Sequence, residues 1–512
     1  MKKNLICLLA LMTVCVCQAE DINIHFDGAT AKVKQNVKDS VNVIVNGANV
    51  NIESLFKAHK LTISVTGKSD DGKITLKSAG KAKVRLDGLN LTSQEGAPLD
   101  LRNKKKVEVE AVKGTENTLT ISACNDTANH KAAVIWAKDK LLLSGKGTLN
   151  IIATGDGCRG IKTKKDITIE DLTLNVTTSG DNLGEKPFGF GGFPGFGGEM
   201  PDFSQIPGFG GGFPPFGNDS TRREGFPIPD FSGNLSDGGF PNFGGFPGGG
   251  FPNFGAMRSE DNDSTTIGDS EGFTGFAGKH KYVASTKGIA SKGKIIINSS
   301  NVTVKTSTAG AEGIEGKEGI VLNGGNIDVL ATDDAINANA TIEFNGAHVI
   351  ARSIGNDAVD SNPKGGFFMP FGGNNEQDTE PAIVIKGGTV YAWSQVGSPE
   401  EGLDCDFAPL VVEGGTIFSI GGGMGEMPSV PSNENAKQPT ALLIGLDIVK
   451  DEPVCIYDSN GKLIDKVTVP FSLRRSASLV GSPAFKIGNS YTVKTKGYEK
   501  TFTFNEPFTI VR

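Results

Sequence analysis

Residues 331–361 read ATDDAINANATIEFNGAHVIARSIGNDAVDS. Asp334-Ala335-Ile336-Asn337 returns 23 residues later as Asp357-Ala358-Val359-Asp360. One acidic pair around an aliphatic residue is a turn. The same pair returning on schedule, with two short alternating apolar runs between the copies, marks a surface built by stacking.

Working outward, the strand–corner–strand phrase recurs as DITIEDLTLNVTTSGD from 166, KIIINSSNVTVKTSTAG from 294, GIVLNGGNIDVLATDD from 319 and TIEFNGAHVIARSIGND from 341. It continues as AIVIKGGTVYAWSQVGS from 382 and PLVVEGGTIFSIGGG from 409. Upstream, LLLSGKGTLNIIATGDG from 141 fits, and VEVEAVKGTENTLTISACND from 107 fits with an insertion. A third short segment with a leading aliphatic precedes the phrases: Ile161, Ile289, Ile314, Ile336, Val359 and Leu403. Intervals of 25, 22 and 23 residues hold three strands and three turns, which is one coil of a parallel β-helix. Alternation then sends Ile167, Ile169, Leu174 and Val176 inward, and likewise Ile342, Phe344, Val349 and Ala351. The fold expected is all-β.

Aligning coils on the leading aliphatic stacks Glu312, Asp334, Asp357 and Glu401 two residues before it. Glu315, Asn337, Asp360 and Asp404 stack one residue after it, with Asp333 just upstream. Stacked strands lie about 4.8 Å apart, and two unit charges at that distance repel by roughly 3.5 kcal/mol at an effective dielectric near 20. Such columns call for a counter-charge. All-oxygen ligands without histidine or thiolate suit Ca²⁺ over zinc or copper. A solvated acidic turn would account for one coil, but not for four in register.

Outward positions on the strand after the corner read His348-Ile350-Arg352, Thr389-Tyr391-Trp393 and Thr416-Phe418-Ile420. Tyr391, Trp393 and Phe418 are therefore candidates to stack on sugar rings, unless the C-terminal region covers them.

The remaining segments set the organisation. Lys2 and Lys3 before an apolar run from Leu5 to Val16, then a small-residue cleavage site, make residues 1–19 an export signal. The expected location is periplasmic, cell-surface or extracellular. No later run is long and apolar enough to span a bilayer. Losing that leader takes the formal charge from −7 to −9, which disfavours nucleic acid as a partner. Cys124, Cys158, Cys405 and Cys455 remain, too scattered for a disulfide scaffold. Residues 20–184 form the first part of the β-helix, and 281–437 continue it through the acidic coils. Between them, residues 185–280 hold 17 of the 30 phenylalanines in a Gly/Pro/Phe-rich tract with little aliphatic content. That tract reads as a disordered insertion, either a spacer or a self-association segment. Residues 438–512 read as a small antiparallel β-domain with an Asn460-Gly461 hairpin turn, placed to cap the stack.

The stretch VRLDGLNLTSQEGAPLDLRNKKKVEVEAVKGTENTLT from 84, the DDAIN and NDAVD repeats and LVGSPAFKIGNSYTV near the end resemble secreted carbohydrate-binding β-helices of pectate-lyase-like fold. The resemblance implies a right-handed parallel β-helix, calcium held by acidic turns, and binding to cellulose or polygalacturonate. The pattern is departed from where Arg159, Lys162 and Lys287 stand in the acidic columns. The rival expectation is a calcium-dependent pectate lyase. Asp333, Asp334 and Asn337 resemble the DD-x-x-D calcium site of the ninth polysaccharide-lyase family, with Lys287, Lys386 or Arg352 as base. A cell-surface or matrix structural protein is the third reading.

Overall fold

Ile, Val and Leu alternating with Thr, Ser, Asn and Lys at period two favour strands, since one face of each segment can be buried while the other stays wet. The computed structural model describes residues 21–37, 39–58, 60–124, 132–186, 281–363, 380–405, 408–423 and 428–512, and no helix occurs among them. The protein is all-β. The leader expected at 1–19 and nearly all of the insertion expected at 185–280 lie outside the described residues.

The leading aliphatics fall in one line. Ile161 pairs with Ile289, and Ile314, Ile336, Val359 and Leu403 follow in register. Their strands belong to an 11-stranded sheet that runs from Val41–Asn46 to Leu403–Asp404. From Asn49–Ser54 onward each neighbouring pair in that sheet is parallel. The other two strands of each pass stack in the same way. Ile167–Glu170 lies on Ile295–Asn298, which lies on Ile320–Leu322. Thr173–Thr178 lies on Ser300–Thr306, which lies on Gly325–Ala331. Both of these columns are part of a 21-stranded sheet.

The core lies between the columns. Ile167, Ile169, Leu174, Val176, Ile342, Phe344, Val349 and Ala351 are all buried, as alternation requires. Burying each such aliphatic side chain contributes roughly 1.5–3 kcal/mol. Space is tight where the acidic strand meets its neighbours: a Cβ at Gly313 would stand 2.4 Å from Val329 Cγ1 and 2.5 Å from the Ala335 carbonyl oxygen. Gly288 meets the same pair of obstacles one pass earlier, at Val304 and Gly313. These glycines let the acidic strand approach closely.

The stack closes across the insertion without a change of register. Leu183–Lys186 pairs antiparallel with Lys281–Ala284, so the chain leaves and re-enters at one point. Passes on either side are direct neighbours, with Leu174 opposite Val302. Replacing residues 189–278 with a short Gly/Ser turn is therefore expected to leave the far-ultraviolet β-signal and the melting temperature unchanged or raised, because a shorter loop costs less closure entropy. Aggregation, or a drop in melting temperature, would show instead that the tract covers part of the stack.

At the far end the pairing changes direction. Leu473–Gly481 pairs antiparallel with both Thr416–Gly421 and Thr440–Ile448, which also takes Phe508–Val511 as a parallel neighbour. A separate four-stranded antiparallel sheet holds Pro453–Asp458, Leu463–Thr468, Ser490–Thr495 and Tyr498–Thr503. The Asn460-Gly461 turn joins two of these strands. Gly461 there takes a φ of 76°, and the Asp458 side chain accepts from the amides of Asn460 and Lys462.

Candidate functional site

The line of leading aliphatics brings the predicted acids together. Pairing of Ile314 with Ile336 and of Ile336 with Val359 sets Glu315 against Asn337 and Asn337 against Asp360. Asp360 in turn is set against Asp404. Glu312, Asp334, Asp357 and Glu401 stack on the other side of the aliphatic, because each of their carbonyls accepts an amide from the preceding pass. Most of these groups are buried, Asp334 at 0% exposure and Asp360 at 2%.

Neutral donors hold much of the row. The Asn337 amide donates to Asp334 Oδ2 at 2.8 Å and to Asp360 Oδ2 at 2.9 Å, tying two passes together. Asn356 donates to Asp333 at 2.9 Å, Asn362 to both oxygens of Asp360, and the Ser429 amide to Glu401 at 2.7 Å. Burial pushes the Asp357 carboxyl well above the ordinary carboxylate range, and the charges of Asp404, Asp334 and Asp360 push it further; the Glu401 amide opposes them. A cation among these oxygens would relieve that field. Glu312, Asp333 and Asp334 offer carboxylate oxygens within 4.8 Å of one another. An all-oxygen donor set of this kind fits a hard cation such as Ca²⁺.

At the upper end of the row the protein supplies its own cation. The Lys287 ammonium, 4% exposed, donates to Glu312 Oε2 and Glu315 Oε1, both at 2.8 Å, and Lys317 reaches Glu315 at 2.6 Å. Burial drives the Glu315 carboxyl up, but the charges of Lys287, Lys317 and Arg159 override this and hold it well below the ordinary range. Glu315, expected as a metal ligand, is thus neutralised by lysine. Lys287 stands one pass before the acids, and its side chain spans the strand spacing to reach them.

The aromatic platform is corrected. Tyr391 and Trp393 do point away from the stack interior, with Phe418 beside Tyr391, but Trp393 and Phe418 are buried and Tyr391 is only partly open to solvent. Phe418 is 0% and Trp393 5% exposed, inside a second apolar cluster with Leu443, Val480 and Phe504 of the C-terminal region. Tyr391 packs against the edge of this cluster, and its hydroxyl donates to Asp465 at 3.1 Å. Burial and then the Asp465 charge leave that phenol pushed up to about 12. Alternation assigns a side chain to the outer face, yet apolar side chains of the separate four-stranded sheet, Val454, Ile456, Val467 and Val493 among them, pack onto that face.

The cations named as lyase bases are all engaged with carboxylates: Lys287 as above, Lys386 with Glu343 at 2.6 Å, and Arg352 with Asp328. The Glu343 hydrogen bond raises the Lys386 pKa, which keeps it an ammonium. Lys317 and Asn362 escaped the sequence reading, although stacking places both three residues after a leading aliphatic. Ser429 left no signal, since it sits beyond the last repeat.

A second surface emerges on the outer side of the strand after the corner, in passes before those that carry the buried aromatics. Asn175 donates to Asn150 at 2.8 Å and Asn326 to Asn301 at 2.8 Å. Asn301, Thr303 and Lys305 on this face are exposed, as are Asn326 and His348. The stack repeats these polar groups along its length.

A family model described as "Carbohydrate-binding domain-containing protein" matches residues 46–186, 255–358 and 311–442, together more than half of the chain. A protein of Acetivibrio thermocellus with the same description is 31% identical over 118 residues, or 22% of this chain. The chain spans 40% of the length of that relative. No solved structure matches. On the extent of the family match, the chain belongs to the carbohydrate-binding domain-containing family.

Proposed function

We propose that the protein is an exported right-handed parallel β-helix that binds polysaccharide, pectin-like or cellulosic, without cleaving it, and that Ca²⁺ neutralises its acidic row. The observation that carries the calcium reading is the stacking of Asp334, Asp357, Asp360 and Asp404 in neighbouring passes, mostly buried, where burial and then their mutual field push the Asp357 carboxyl up. Calcium held by these oxygens and by Asp333 and Glu312 is structural, because the acids are mainly buried. It tightens neighbouring passes and leaves glycan contact to another face. The glycan contact falls on the exposed Asn, Thr and His positions of the outer strand column, where amides and hydroxyls recur along the stack as hydroxyls recur along a sugar polymer. No step requires a base, and the candidate bases are ion-paired.

The test is affinity electrophoresis of the pure protein in gels of polygalacturonate and of soluble cellulose derivative, beside a melting curve with and without chelator. Retention should occur and should weaken about tenfold on pairing Asn301→Ala with Asn326→Ala. Excess chelator should lower the melting temperature, and calcium at about 100 times its Kd should restore about 2.7 kcal/mol per site. An unchanged melting curve removes calcium from the proposal; absence of retention on any acidic or neutral glycan removes binding. Calcium-dependent appearance of unsaturated uronide absorbance establishes the lyase instead.

A further inference from the structure

Cys124 and Cys158 are 34 residues apart in sequence, on adjacent passes of the stack, where Glu116–Ile121 pairs in register with Thr148–Ala153. The turns that follow these strands are clamped together. The Thr154 and Gly155 amides both donate to the Ile121 carbonyl, and the Cys158 amide closes its own turn by donating to the Gly155 carbonyl at 3.1 Å. Gly155 packs so closely that a Cβ there would lie 3.0 Å from Ala123 Cα on one pass and 3.0 Å from Cys158 Sγ on the other. The Cys158 sulfur therefore sits beside the backbone immediately preceding Cys124, which places the two thiols on facing turns one residue apart. Both are free thiols in this structure.

We infer that Cys124 and Cys158 are a redox pair that closes to a disulfide and staples two neighbouring passes of the stack. The pair differs from the other two cysteines. Cys405 and Cys455 are each buried, and no half-exposed cysteine stands beside either among the described residues. Cys124 is half-exposed and Cys158 fully buried, an arrangement that sets the order of events. Hydrogen bonding to Cys124, and then burial, push the Cys158 thiol far up, so it is the poorer first nucleophile.

The Cys124 thiolate attacks a sulfur of an external disulfide oxidant, breaking its S–S bond and releasing one carrier thiolate. Cys158 then attacks the Cys124 sulfur of the mixed disulfide. The second carrier thiolate leaves, and the Cys158 proton goes to it. Two protein thiols are oxidised and one carrier disulfide is reduced to two thiols. The compartment reached by the proposed export supplies such oxidants, but the chemistry requires only the carrier.

The test incubates the full-length protein with oxidised glutathione, blocks remaining thiols under denaturing conditions and maps the peptides. The expected product is a cross-link between the peptides holding Cys124 and Cys158, with Cys405 and Cys455 blocked as thiols. Reductant should then lower the melting temperature by about 5 °C, the shift that closing a loop of this length implies for a chain of this size. Cys158→Ser should retain a glutathione adduct on Cys124, whereas Cys124→Ser should leave Cys158 unmodified in the folded protein. Recovery of both cysteines as free thiols after oxidation overturns the inference, as does cross-linking to any other cysteine. Peptide mapping of the unaltered protein decides the matter even if a serine variant fails to fold.

Discussion

Lys287→Met should lower the unfolding free energy by about 3–5 kcal/mol at neutral pH, read as a shift of the denaturation midpoint. The lysine lies between Glu312 and Glu315, all three nearly excluded from solvent, so its removal takes from both buried carboxylates the ammonium they share and leaves Glu315 with Lys317. The methionine fills much the same volume, which separates the lost charge from a lost cavity. Glu315 also sets the direction of the pH dependence. Its folded pKa is depressed, so its stabilisation is fully present above the unfolded carboxylate value and is lost as pH falls through the folded one. Without Lys287 the carboxylates would take up protons at a higher pH. The difference between variant and parent should therefore shrink as the solution is acidified. Adding Glu312→Gln and Glu315→Gln to the methionine variant should recover part of the loss, since neutral groups no longer need the ammonium. A loss under about 1 kcal/mol in the single variant would mean that water or another cation replaces Lys287, and that the row is not self-neutralised at this end.

Trp393→Ala is the other large expected effect, about 3–5 kcal/mol, and it should appear in stability rather than in glycan affinity. The indole fills the seam between the last full passes and the C-terminal strands, in the cluster containing Phe418 and Leu443. Truncation leaves a cavity at the place where Leu473–Gly481 is held to the stack. Trp393→Phe should cost less than about 1.5 kcal/mol, because most of the volume is kept. The indole N–H it removes has no acceptor among the described residues. Polysaccharide retention of either folded variant should equal that of the parent. If Trp393→Ala melts like the parent but loses retention, the ring meets sugar and the seam is open in solution.

The two predictions differ in how far each could be read from the chain. Ile161, Ile289, Ile314, Ile336, Val359 and Leu403 form one line of strand partners because coil length and the two-residue period are local properties. Once the aliphatic must face the core, the residues on either side have no freedom of register. The acidic row, the inward positions and the continuity across the insertion follow from the same constraint.

Side-chain neighbours across passes are a different matter. Period two tells that Trp393 and Phe418 leave the stack interior, but solvent or an apolar cover is chosen by where a distant segment, the C-terminal four-stranded sheet, packs its side chains. Lys287 was visible in the row as an exception to it; only the reach of its side chain toward the following pass makes it the partner of Glu312 and Glu315. Cys124 and Cys158 carry no spacing signal, and they meet because two turns pack through the missing side chain of Gly155. A repeating hydrophobic pattern specifies which strands are neighbours, because burial acts on every coil alike. Contacts made by long or singular side chains depend on three-dimensional reach, which has no period along the sequence.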